Sequence, residues 1–542
     1  MLLATLILLP TLAALAILAL PKAMAKTVAL GASFLELALA LLLLGSGLGG
    51  TTDAFAPAWL QIESLNLGVN LGIGPVSYWL VLLTAALMPL VFLSSFGAEQ
   101  KAEKGYYFWL TLLVTPMVGT FLARDAILFY VFFELTLVPM FFLIGIWGGL
   151  DREYAAKKFF LYTFVGGVFT LAGLLFVGIN AGTFDLAEMA RWAQGNVTDP
   201  TAKVLLFVAL FAGFAVKVPL FPVHTWLPLA HTVAPTAGSV ILAGVLLKLG
   251  TYGLLAVVIP LGLISSTSVA PDGIMPVIGD SVIPVVAILS IIGVIYGALI
   301  AWVQKDVKKL VAYSSVSHLG FCVLGLVALN DHGMQGSVFY MINHGISTGA
   351  LFLLIGMIYD RYHTRMFDDY SGLGKVMPVF SFFLVLFTMS SIGLPGTNGF
   401  VSEFLTILGA FTSPYLGPIY GAAAALGVVL GAIYMLHMVA KLVFGPLKLP
   451  TTGHPADETP GKSLDLNPRA GAILTPLAVL VIVLGVFPSP LLQSVTPDVQ
   501  AARSPEAATM VVETPVTVEQ NEALAPLNLA AAETPPGTLQ NP

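Results

Sequence analysis

The segment LFYVFFELTLVPMFFLIGIWGG, residues 128–149, is apolar along its whole length except for one acidic side chain, Glu134. A helix needs about 20 consecutive apolar residues to cross the hydrocarbon core of a bilayer, and this segment has that length. A charge at the centre of a bilayer costs roughly 2.5–3.5 kcal/mol even on lenient insertion scales. The segment therefore predicts a membrane-spanning helix whose carboxylate has a partner or a function.

The composition of the whole chain agrees with this interpretation. The 542 residues are 57% hydrophobic and 10% charged, whereas a soluble chain carries about 25% charged residues. The single cysteine, Cys322, lies in an apolar run, which excludes a disulfide framework and a cysteine metal site. Residues 497–542 hold six acids and one arginine, which accounts for −5 of the net charge of −6. The membrane body is therefore close to neutral, and nothing indicates nucleic-acid binding.

Apolar runs of spanning length recur almost from end to end, and we predict an all-α polytopic membrane protein with fourteen transmembrane helices. Helices are predicted because barrel strands would show short segments of alternating hydrophobicity. The predicted spans are 2–20, 27–48, 77–97, 106–122, 126–149, 157–180, 203–229, 234–259, 281–303, 308–329, 335–358, 378–411, 419–445 and 470–494.

Lysine and arginine concentrate in the loops that follow odd-numbered spans, and cytoplasmic loops carry such an excess. The even-numbered loops and the tail hold only Arg124, Arg191, Lys203 and Arg503. We therefore predict that both termini lie outside the cytoplasm. An alternative is that the first span is a signal peptide, since Ala-Met-Ala at 23–25 resembles a cleavage site. Cleavage would break the alternation of basic loops, and no basic residue precedes the apolar run.

Ionisable side chains inside the predicted spans are the main functional signal, since such groups are rare in membranes and mark paired or functional sites. They are Glu36, Glu134, Lys217, Lys248, His318, His344, Glu403 and His437. Glu134 and Lys217 each lie in the middle of a span, so each is the obvious partner of the other. Opposite charges at close range in a low dielectric keep each other ionised. A static structural ion pair is the alternative interpretation.

The remaining groups differ in their surroundings. Lys248 lies among Ala, Gly, Ser and Thr residues that allow close helix packing, and we predict a proton relay there; a snorkelling lysine is the alternative. His318 and His344 lie beside hydroxyl or amide residues, and histidine carries protons near neutral pH. Packing histidines are the alternative; no carboxylate or cysteine clusters with them to form a metal site, and nothing else supports haem ligation. Structural or interface roles are favoured for Glu36 and His437.

Two of the predicted spans are interrupted. Span seven contains three prolines in VKVPLFPVHTWLP, residues 216–228, and span twelve contains IGLPGTNGF, residues 392–400. Proline lacks an amide donor, and irregular backbone at membrane depth persists only inside protein or along a water-filled cavity. Glu403 follows the second interruption, which favours a functional acid over a structural one. Paired interrupted helices at matching positions indicate the inverted repeats of a transporter.

The spacing of the titratable groups supports such a repeat. The separation along the chain from Glu134 to Lys217 nearly equals that from His318 to Glu403. Spans four to eight would match spans nine to thirteen, and an odd number of spans inverts the second copy. Lys248 would then join the two halves of a row of proton sites across the membrane plane. The predicted units are three N-terminal helices in 1–105, repeats in 106–260 and 281–445, a last helix in 446–496 and a disordered acidic tail in 497–542.

Five motifs together resemble the antiporter-like membrane subunits of respiratory complex I. They are FFELTLVPMFFLIGIWGG (132–149), KVPLFPVHTWLP (217–228), APTAGSVILAGVLLKLGTYG (234–253), KKLVAYSSVSHLGF (308–321) and LPGTNGFVSEF (394–404). The resemblance covers about residues 70–445, with the motifs in order. It implies fourteen helices in two inverted five-helix repeats, with helices 7 and 12 discontinuous.

The same resemblance implies a role for each group of the row. Glu134 would pair with Lys217, and Lys248 would connect the halves. His318 and His344 would line a central hydrophilic axis. Glu403 would be the terminal acidic site, opening to the outer side.

The resemblance also implies that the chain has no redox centre of its own. NADH, FMN, iron–sulfur clusters and quinone would be bound by partner subunits, and the chain would contact other membrane-arm and peripheral subunits of an NADH–quinone oxidoreductase. It would be a multi-pass protein of the bacterial inner membrane, or of a thylakoid membrane. The chain departs from the family at Leu229 and Val233, where acids are common. An ion pair or proton uptake path that used those carboxylates cannot form in the same way here.

Three functions stay open from the sequence. The chain is a proton-translocating subunit of a complex I-type enzyme, a subunit of a multisubunit sodium/proton antiporter, or a membrane subunit of an energy-converting hydrogenase. The segment ELTLVPMFFLIGIWGG and the complete row favour the first. Sodium is less favoured because the sequence shows no carboxylate cage with several oxygen ligands. A purely structural scaffold would not need six buried ionisable groups, each with an insertion cost.

Overall fold

The computed structural model describes residues 1–45, 54–55, 61–62, 67–96, 102–263, 278–450 and 464–503. Within these residues, thirteen helical segments are long and apolar enough to cross a membrane. This confirms the prediction of an all-α polytopic membrane protein. The predicted span 378–411 is built from two shorter helices, so the count of fourteen spans and the inverted relation of the repeats stay predictions.

The α-helices are numbered here in chain order. The first half of the chain contains α1 (Leu2–Ala19), α2 (Ala25–Leu42), α3 (Pro75–Ser95), α4 (Glu103–Leu112), α5 (Val114–Leu122), α6 (Ala126–Leu135), α7 (Leu137–Trp147), α8 (Arg152–Ala181), α9 (Leu186–Asn196), α10 (Pro200–Lys217), α11 (Trp226–Val233), α12 (Thr236–Ile241) and α13 (Leu247–Gly253). The second half contains α14 (Ile283–Trp302), α15 (Val307–Val327), α16 (Asp331–Tyr362), α17 (Pro378–Ser391), α18 (Asn398–Thr412), α19 (Pro418–Val443), α20 (Pro468–Val486) and α21 (Ser489–Arg503).

Short elements of other kinds join these helices. Wider π-helical turns occupy Leu242–Leu246, Leu254–Leu263 and Ile278–Val282, and 3-10 turns occupy Lys22–Met24, Phe367–Asp369 and Leu373–Lys375. Four two-residue strands, β1 (Ala54–Phe55), β2 (Gln61–Ile62), β3 (Leu67–Gly68) and β4 (Leu71–Gly72), pair antiparallel as β1 with β4 and β2 with β3. The sequence analysis predicted no strand in this connection.

The core of the molecule is formed by the segments that carry the central part of the row. In three segments, 94% of the residues in the most apolar stretch are buried inside the protein. These segments are Thr236–Gly262, Val307–Val327 and Asp331–Tyr362. Leu2–Ala19 and Arg152–Ala181 are only 39% buried by the same measure, and many of their exposed side chains are apolar. The polar groups of the core are therefore surrounded by peripheral helices whose outer surface is apolar, as a bilayer requires.

Helix breaks lie beside the ionisable residues. α10 ends at Lys217, and the turn 218–225 separates it from α11. α17 ends at Ser391, and the turn 392–397 separates it from α18. A further break at Thr136 separates α6 from α7, where Pro139 has no amide to donate to the preceding turn. The sequence analysis predicted the first two interruptions and missed the third.

Polar contacts tie the loops together at one end of the helices. Glu103 accepts ion pairs from Lys26 at 2.7 Å and from Lys22 at 3.4 Å. Arg365 pairs with Asp306 at 3.5 Å. These loops follow spans one, three, nine and eleven, so the contacts join loops that the sequence predicts to be cytoplasmic. We call this end of the bundle the basic face.

The C-terminal part differs from its predicted boundaries. The last predicted span, 470–494, is α20, which ends at Val486, and α21 then continues to Arg503. The predicted disordered tail was therefore placed too early, because Leu491, Val495 and Val499 form a buried apolar stripe on α21. Residues 504–542 of that predicted tail lie outside the described residues.

Candidate functional site

Glu134 is the first group of the row, and it lies at the C-terminal end of α6. Both of its carboxylate oxygens are buried and have no hydrogen-bond partner among the residues that the structure describes. The carboxylate rests against the backbone of α8 at Gly167, where a Cβ atom would collide with Oε1. Glycine at this position therefore makes the space that the acid occupies.

Lys217 is the last residue of α10, and its ammonium contacts the break between α6 and α7. Its Nζ donates to Thr136 Oγ1 at 2.8 Å and lies 4.7 Å from the centre of the Phe133 ring. The Thr136 hydroxyl in turn donates to the Phe133 carbonyl at 2.7 Å. No ion pair within 4.0 Å joins Lys217 to Glu134 in the described residues. The direct pair expected from the sequence is thus not formed in this conformation.

Lys248 lies between two π-helical turns, which often mark functional positions in helices. Its Nζ donates to the Ala243 carbonyl and contacts His344 Nδ1 at 2.7 Å. An ammonium has no acceptor, so Lys248 donates and His344 Nδ1 accepts. His344 Nε2 must then carry the ring proton, which it directs to Ser315 Oγ at 3.1 Å.

His318 connects the centre of the row to Glu403 through a tyrosine. Tyr340 OH donates to Glu403 Oε1 at 3.0 Å, and the same hydroxyl lies 2.6 Å from His318 Nδ1. Because the tyrosine proton is used on the carboxylate, His318 Nδ1 is the donor to the tyrosine oxygen. His318 Nε2 then accepts from Tyr434 OH at 3.4 Å. All four of these side chains are buried.

The two histidines meet at the centre of the protein. The ring centroids of His318 and His344 are 5.8 Å apart, with an interplanar angle of 63°. Lys248 is thus hydrogen-bonded to His344, and Glu403 is linked through Tyr340 to His318. The two histidine rings pack edge to face, and no hydrogen bond joins them among the described residues.

Glu134 and Lys217 form a separate group. In the described residues, no hydrogen bond joins either of them to Lys248. α13 packs closely against the end of α10, because a Cβ atom added at Gly250 would lie 3.2 Å from the Lys217 carbonyl carbon. The structure thus brings four of the six predicted site residues into one cluster and leaves two beside it.

Glu403 has the same relation to a glycine as Glu134. Gly393 lies in the turn between α17 and α18 with φ +73, a backbone conformation that favours glycine. A Cβ atom there would collide with Glu403 Oε2. At both ends of the row, a carboxylate thus fills the space that a side chain larger than glycine would occupy.

A cavity of about 800 Å³ opens on the basic face and reaches the start of α12. We call it the vestibule. Leu229 and Val233, which replace the acids common in the family, are in its wall. Its lining comes mainly from residues in 147–151, 225–237, 304–313 and 355–366.

Backbone carbonyls accept hydrogen bonds from two positively charged side chains at this vestibule. Lys308 Nζ donates to the carbonyl of Ala234 at 2.6 Å, and Arg365 Nη1 donates to the carbonyl of Thr232 at 2.8 Å. These carbonyls lie at the C-terminal end of α11, where the helix dipole attracts positive charge. The helix end therefore supplies a partner for these cations beside Leu229 and Val233, where the family's acids are replaced.

His231 is a further buried histidine, on α11 beside the vestibule. It is fully buried, its ring stacks on Phe352 at 4.7 Å, and neither ring nitrogen has a hydrogen-bond partner among the described residues. The charged groups that interact with it are Lys308 and Lys248. The sequence analysis did not select His231, because a single histidine within a proline-rich interruption carries no distinguishing signal.

Several other participants were also missed by the sequence analysis. Thr136, Tyr340, Ser315 and Tyr434 each bond a residue of the row, and each is distant in the chain from its partner. Hydroxyl residues are common in membrane helices, so their identity alone gives no signal. Only a hydroxyl near a helix break, as Thr136 is near Pro139, could have been picked out.

Two ionisable groups predicted to be structural lie away from the row. Glu36 on α2 is buried, and its carboxylate has no hydrogen-bond partner in the described part of the chain. His437 on α19 is partly exposed, and its ring lies 6.1 Å from that of Phe367. Neither residue forms a described contact with a group of the row.

Known proteins share this arrangement of helices. The family model described as "NADH:quinone oxidoreductase/Mrp antiporter, TM" matches residues 123–416. The chain is 40% identical over 488 residues to the NADH-quinone oxidoreductase subunit M of Rhodobacter capsulatus, covering 88% of this chain and 90% of the relative. It is also 40% identical over 439 residues to the NADH-ubiquinone oxidoreductase chain 4 of Marchantia polymorpha, covering 80% of this chain and 82% of the relative.

Solved structures give the same result for the fold. A chain of respiratory complex I from Thermus thermophilus with bound NADH matches with a TM-score of 0.79 and 28% identity, covering 93% of this chain and 99% of that chain. A chain of the Mrp complex from a Dietzia species also matches with a TM-score of 0.79, covering 94% of this chain and 99% of that chain. Its identity is 20%, so this second likeness concerns the fold alone.

Proposed function

The chain belongs to the membrane-subunit family that NADH:quinone oxidoreductases share with Mrp antiporters, and from that premise we propose that it is a proton-translocating membrane-arm subunit of a complex I-type enzyme. Within the family it resembles subunit M, the counterpart of mitochondrial subunit 4 and of the D subunit of the photosynthetic form. It is then a subunit of a translocating oxidoreductase. Partner subunits, including peripheral ones, hold NADH, FMN, the iron–sulfur clusters and the quinone.

The observation that carries this proposal is the buried cluster of polar side chains that extends from Lys248 to Glu403. Lys248 bonds His344, the two histidine rings meet, and Tyr340 bridges His318 to the carboxylate. Each member can bind or release a proton or pass one through a hydroxyl. A buried run of such groups has an insertion cost at every step, and a translocation path explains that cost.

Proton uptake is assigned to the vestibule on the basic face. The vestibule is wide enough to hold water, and Lys308 and Asp306 stand at its wall. His231 is buried on α11, whose residues Leu229, Thr232 and Val233 line the vestibule, and we assign it to the step from the vestibule to the row. The distribution of basic loops supports a cytoplasmic position for this face. Both termini would then lie on the non-cytoplasmic side of a bacterial inner membrane.

Glu134 and Lys217 are assigned to the control of the row rather than to its central connection. The Lys217 ammonium has a hydroxyl and an aromatic ring as partners, and Glu134 has no hydrogen-bond partner among the described residues. A carboxylate that moved into contact with the lysine would stabilise its charge. Closing and opening this pair would therefore change whether Lys217 keeps or releases a proton. The two groups would belong to the first of the two proposed inverted repeats, 106–260 and 281–445.

The experiment is NADH-driven proton uptake by inverted membrane vesicles that contain wild type or Glu134→Gln. The variant keeps the shape of the side chain and removes its charge. We expect uptake to be lost while the complex still assembles and oxidises NADH with an artificial electron acceptor. Unchanged uptake in the variant would show that Glu134 is a packing acid.

The same vesicles separate the alternatives. NADH-driven uptake in wild type supports the complex I-type assignment. If wild type shows no such uptake but exchanges sodium for protons when a pH gradient is imposed, the chain is an antiporter subunit. Uptake that depends on hydrogen oxidation instead would indicate an energy-converting hydrogenase.

A further inference from the structure

The break between α17 and α18 is a short turn that contributes little to fixing its own shape. It includes Gly393 and Gly396, both with positive φ, and Pro395, which has no amide to donate. The N-cap residue of α18, Thr397, forms no side-chain hydrogen bond that caps the helix. Contacts from outside the turn must therefore set how the two halves of this helix lie relative to each other.

Side chains from α16 supply these contacts. Asn343 Nδ2 donates to the carbonyl of Asn398, the first residue of α18, at 2.6 Å. Ser347 Oγ lies 2.7 Å from Ser390 Oγ, near the end of α17. Ser390 Oγ donates its only proton to Asn398 Oδ1 at 2.6 Å, so Ser347 is the donor to Ser390. We call these four residues the break cluster, because their hydrogen bonds join α16 to both halves of the broken helix.

The break cluster is next to the contact between Tyr340 and Glu403. Tyr340 lies three residues before Asn343, on the same face of α16. Asn343 Nδ2 also donates to Ser402 Oγ at 3.1 Å, and Ser402 directly precedes Glu403 on α18. Tyr340 OH donates to Glu403 Oε1 at 3.0 Å. One face of α16 thus binds the first turn of α18 and also the carboxylate that follows it.

The break cluster is not arranged to satisfy all of its own polar atoms. Asn343 Oδ1 and Asn398 Nδ2 are buried, and neither has a hydrogen-bond partner among the residues that the structure describes. Burying an unpaired polar atom is costly, and apolar side chains could pack these helices without that cost. Each amide nevertheless uses the end that bonds across the break. The geometry of the break, rather than stability alone, therefore explains why polar side chains are present here.

We infer that Asn343 and Ser347 are positioning residues, which fix both halves of the broken helix and thereby hold Glu403 at hydrogen-bond distance from Tyr340. Neither of them exchanges a proton with the carboxylate. They act through the position of α18, because its first turn can shift when they are removed, and the bond between Tyr340 and Glu403 then opens. For its effect on proton uptake this inference rests on the proposed translocation function, whereas the distance between Tyr340 and Glu403 can be measured independently of it.

The direct test is a structure of the intact complex that carries Asn343→Leu, which removes both hydrogen bonds to α18 and keeps a side chain of similar size. We expect the distance from Tyr340 OH to Glu403 Oε1 to exceed about 3.5 Å, so that the hydrogen bond is lost. A bond retained at about 2.5–3.0 Å would overturn the inference. Asn343→Ala serves if the leucine variant does not assemble, because it removes the amide without adding apolar volume. This result does not depend on what the complex translocates.

The functional test is NADH-driven proton uptake per assembled complex. We expect Asn343→Leu to lose about tenfold or more, since misplacing a reacting group by about 1 Å can cost about 100-fold. Ser347→Ala should lose about threefold or more, the effect of one hydrogen bond. Its matched control is Ser337→Ala, because Ser337 is also a buried hydroxyl of α16 but donates to the Cys322 carbonyl at 2.7 Å. The control should equal wild type, and equal losses in the two serine variants would overturn the role of Ser347.

A double-mutant cycle with Tyr340→Phe separates positioning from a general structural role. If Asn343 acts only by placing Glu403 at the Tyr340 hydroxyl, removing that hydroxyl leaves Asn343 nothing further to affect. Adding Asn343→Leu to Tyr340→Phe should then lower uptake by no more than about twofold. Losses that multiply would show that Asn343 supports the fold in general, and would overturn the inference. If wild type itself shows no NADH-driven uptake, the proposed function fails, while the distance between Tyr340 and Glu403 still decides the positioning role.

Discussion

Lys217 and Thr136 are joined by a hydrogen bond of 2.8 Å, in the place where the sequence predicts an ion pair between Lys217 and Glu134. The threonine lies in the break between α6 and α7, just after the glutamate in the chain. A hydroxyl compensates a buried ammonium less fully than a carboxylate would. The lysine is therefore held in position by a neutral partner, and its charge stays sensitive to any movement of Glu134.

Replacement of Thr136 tests this relation. Thr136→Val keeps the shape and removes the hydroxyl, so the Lys217 ammonium loses a hydrogen bond to a charged group, which is typically worth about 1.5–3 kcal/mol. We expect NADH-driven proton uptake to fall by about tenfold or more, since about 1.4 kcal/mol corresponds to a factor of ten. Thr136→Ser keeps the hydroxyl and should keep most of the uptake. Equal losses in the two variants would mean that packing at this position, and not the hydrogen bond, matters.

Gly167 and Gly393 should each be intolerant of a methyl group for the same reason. Gly167→Ala would push Glu134 out of its place, and Gly393→Ala would push Glu403 and also force alanine into a left-handed conformation, at a cost of about 1–2 kcal/mol. We expect both variants to reduce proton uptake about tenfold or more. The measurement is uptake per assembled complex.

Gly431→Ala is the control for these variants. Gly431 lies in α19, and an added Cβ would meet no atom within 4 Å. Its uptake should equal that of wild type. If Gly167→Ala also equals wild type, the carboxylate of Glu134 can move without consequence, and its assigned place in the row is wrong.

Lys248 should not be replaceable by arginine. The guanidinium stays protonated under all physiological conditions, so it could hold the hydrogen bond to His344 Nδ1 but could not release a proton into the row. We expect Lys248→Arg to assemble and to lose most proton uptake. Lys309→Arg is the control, because Lys309 is exposed on the basic face and the change keeps its charge. Substantial uptake in Lys248→Arg would show that this lysine acts only as a fixed charge.

Asp498 on α21 offers a test of the C-terminal packing through pH. Its Oδ2 accepts from the Val76 amide at 2.8 Å, at the start of α3. Burial raises the pKa of the Asp498 carboxyl, and the hydrogen bond from Val76 and the charge of Arg124 partly oppose that rise. The folded protein therefore holds this proton more tightly than the unfolded chain does. The stabilisation is complete below the unfolded pKa of about 3.9 and is lost as the pH rises through the folded pKa.

We expect the melting temperature of the detergent-solubilised complex to fall as the pH rises through this range. Asp498→Asn keeps an acceptor for Val76 and cannot ionise, so it should flatten that part of the profile. Asp498→Ala should lower stability at every pH by about 0.5–2 kcal/mol, the usual cost of losing a helix cap. Parallel pH profiles for wild type and Asp498→Asn would contradict the assignment.

The sequence was sufficient to predict the membrane class and most of the spans. Composition and hydropathy determine spans because lipid leaves a chain few alternatives to helices. Glu134, Lys217 and Glu403 could be selected because charge is costly in a bilayer. Thr136 and Tyr340 could not, since their importance comes from partners that are distant in the chain and close only in the fold.

The predicted start of the disordered tail at residue 497 was wrong for a physical reason. The region after 497 has a polar composition, but an amphipathic stripe of Leu491, Val495 and Val499 lets α21 pack on the body of the protein to Arg503.

The departures from the family at Leu229 and Val233 pointed to a lost ion pair. The carbonyls at the end of α11 hold Lys308 and Arg365 instead. Every residue has a carbonyl, so a backbone partner of this kind leaves no trace in the sequence.

The bridge at Tyr340 has a consequence for timing. A hydroxyl that accepts a proton from His318 and gives its own to Glu403 ends with its hydrogen bonds pointing the other way. It cannot accept again until it has rotated back. In the proposed path, each passage would therefore leave the hydrogen bonds of Tyr340 reversed, and the hydroxyl would have to rotate back before the next proton could follow.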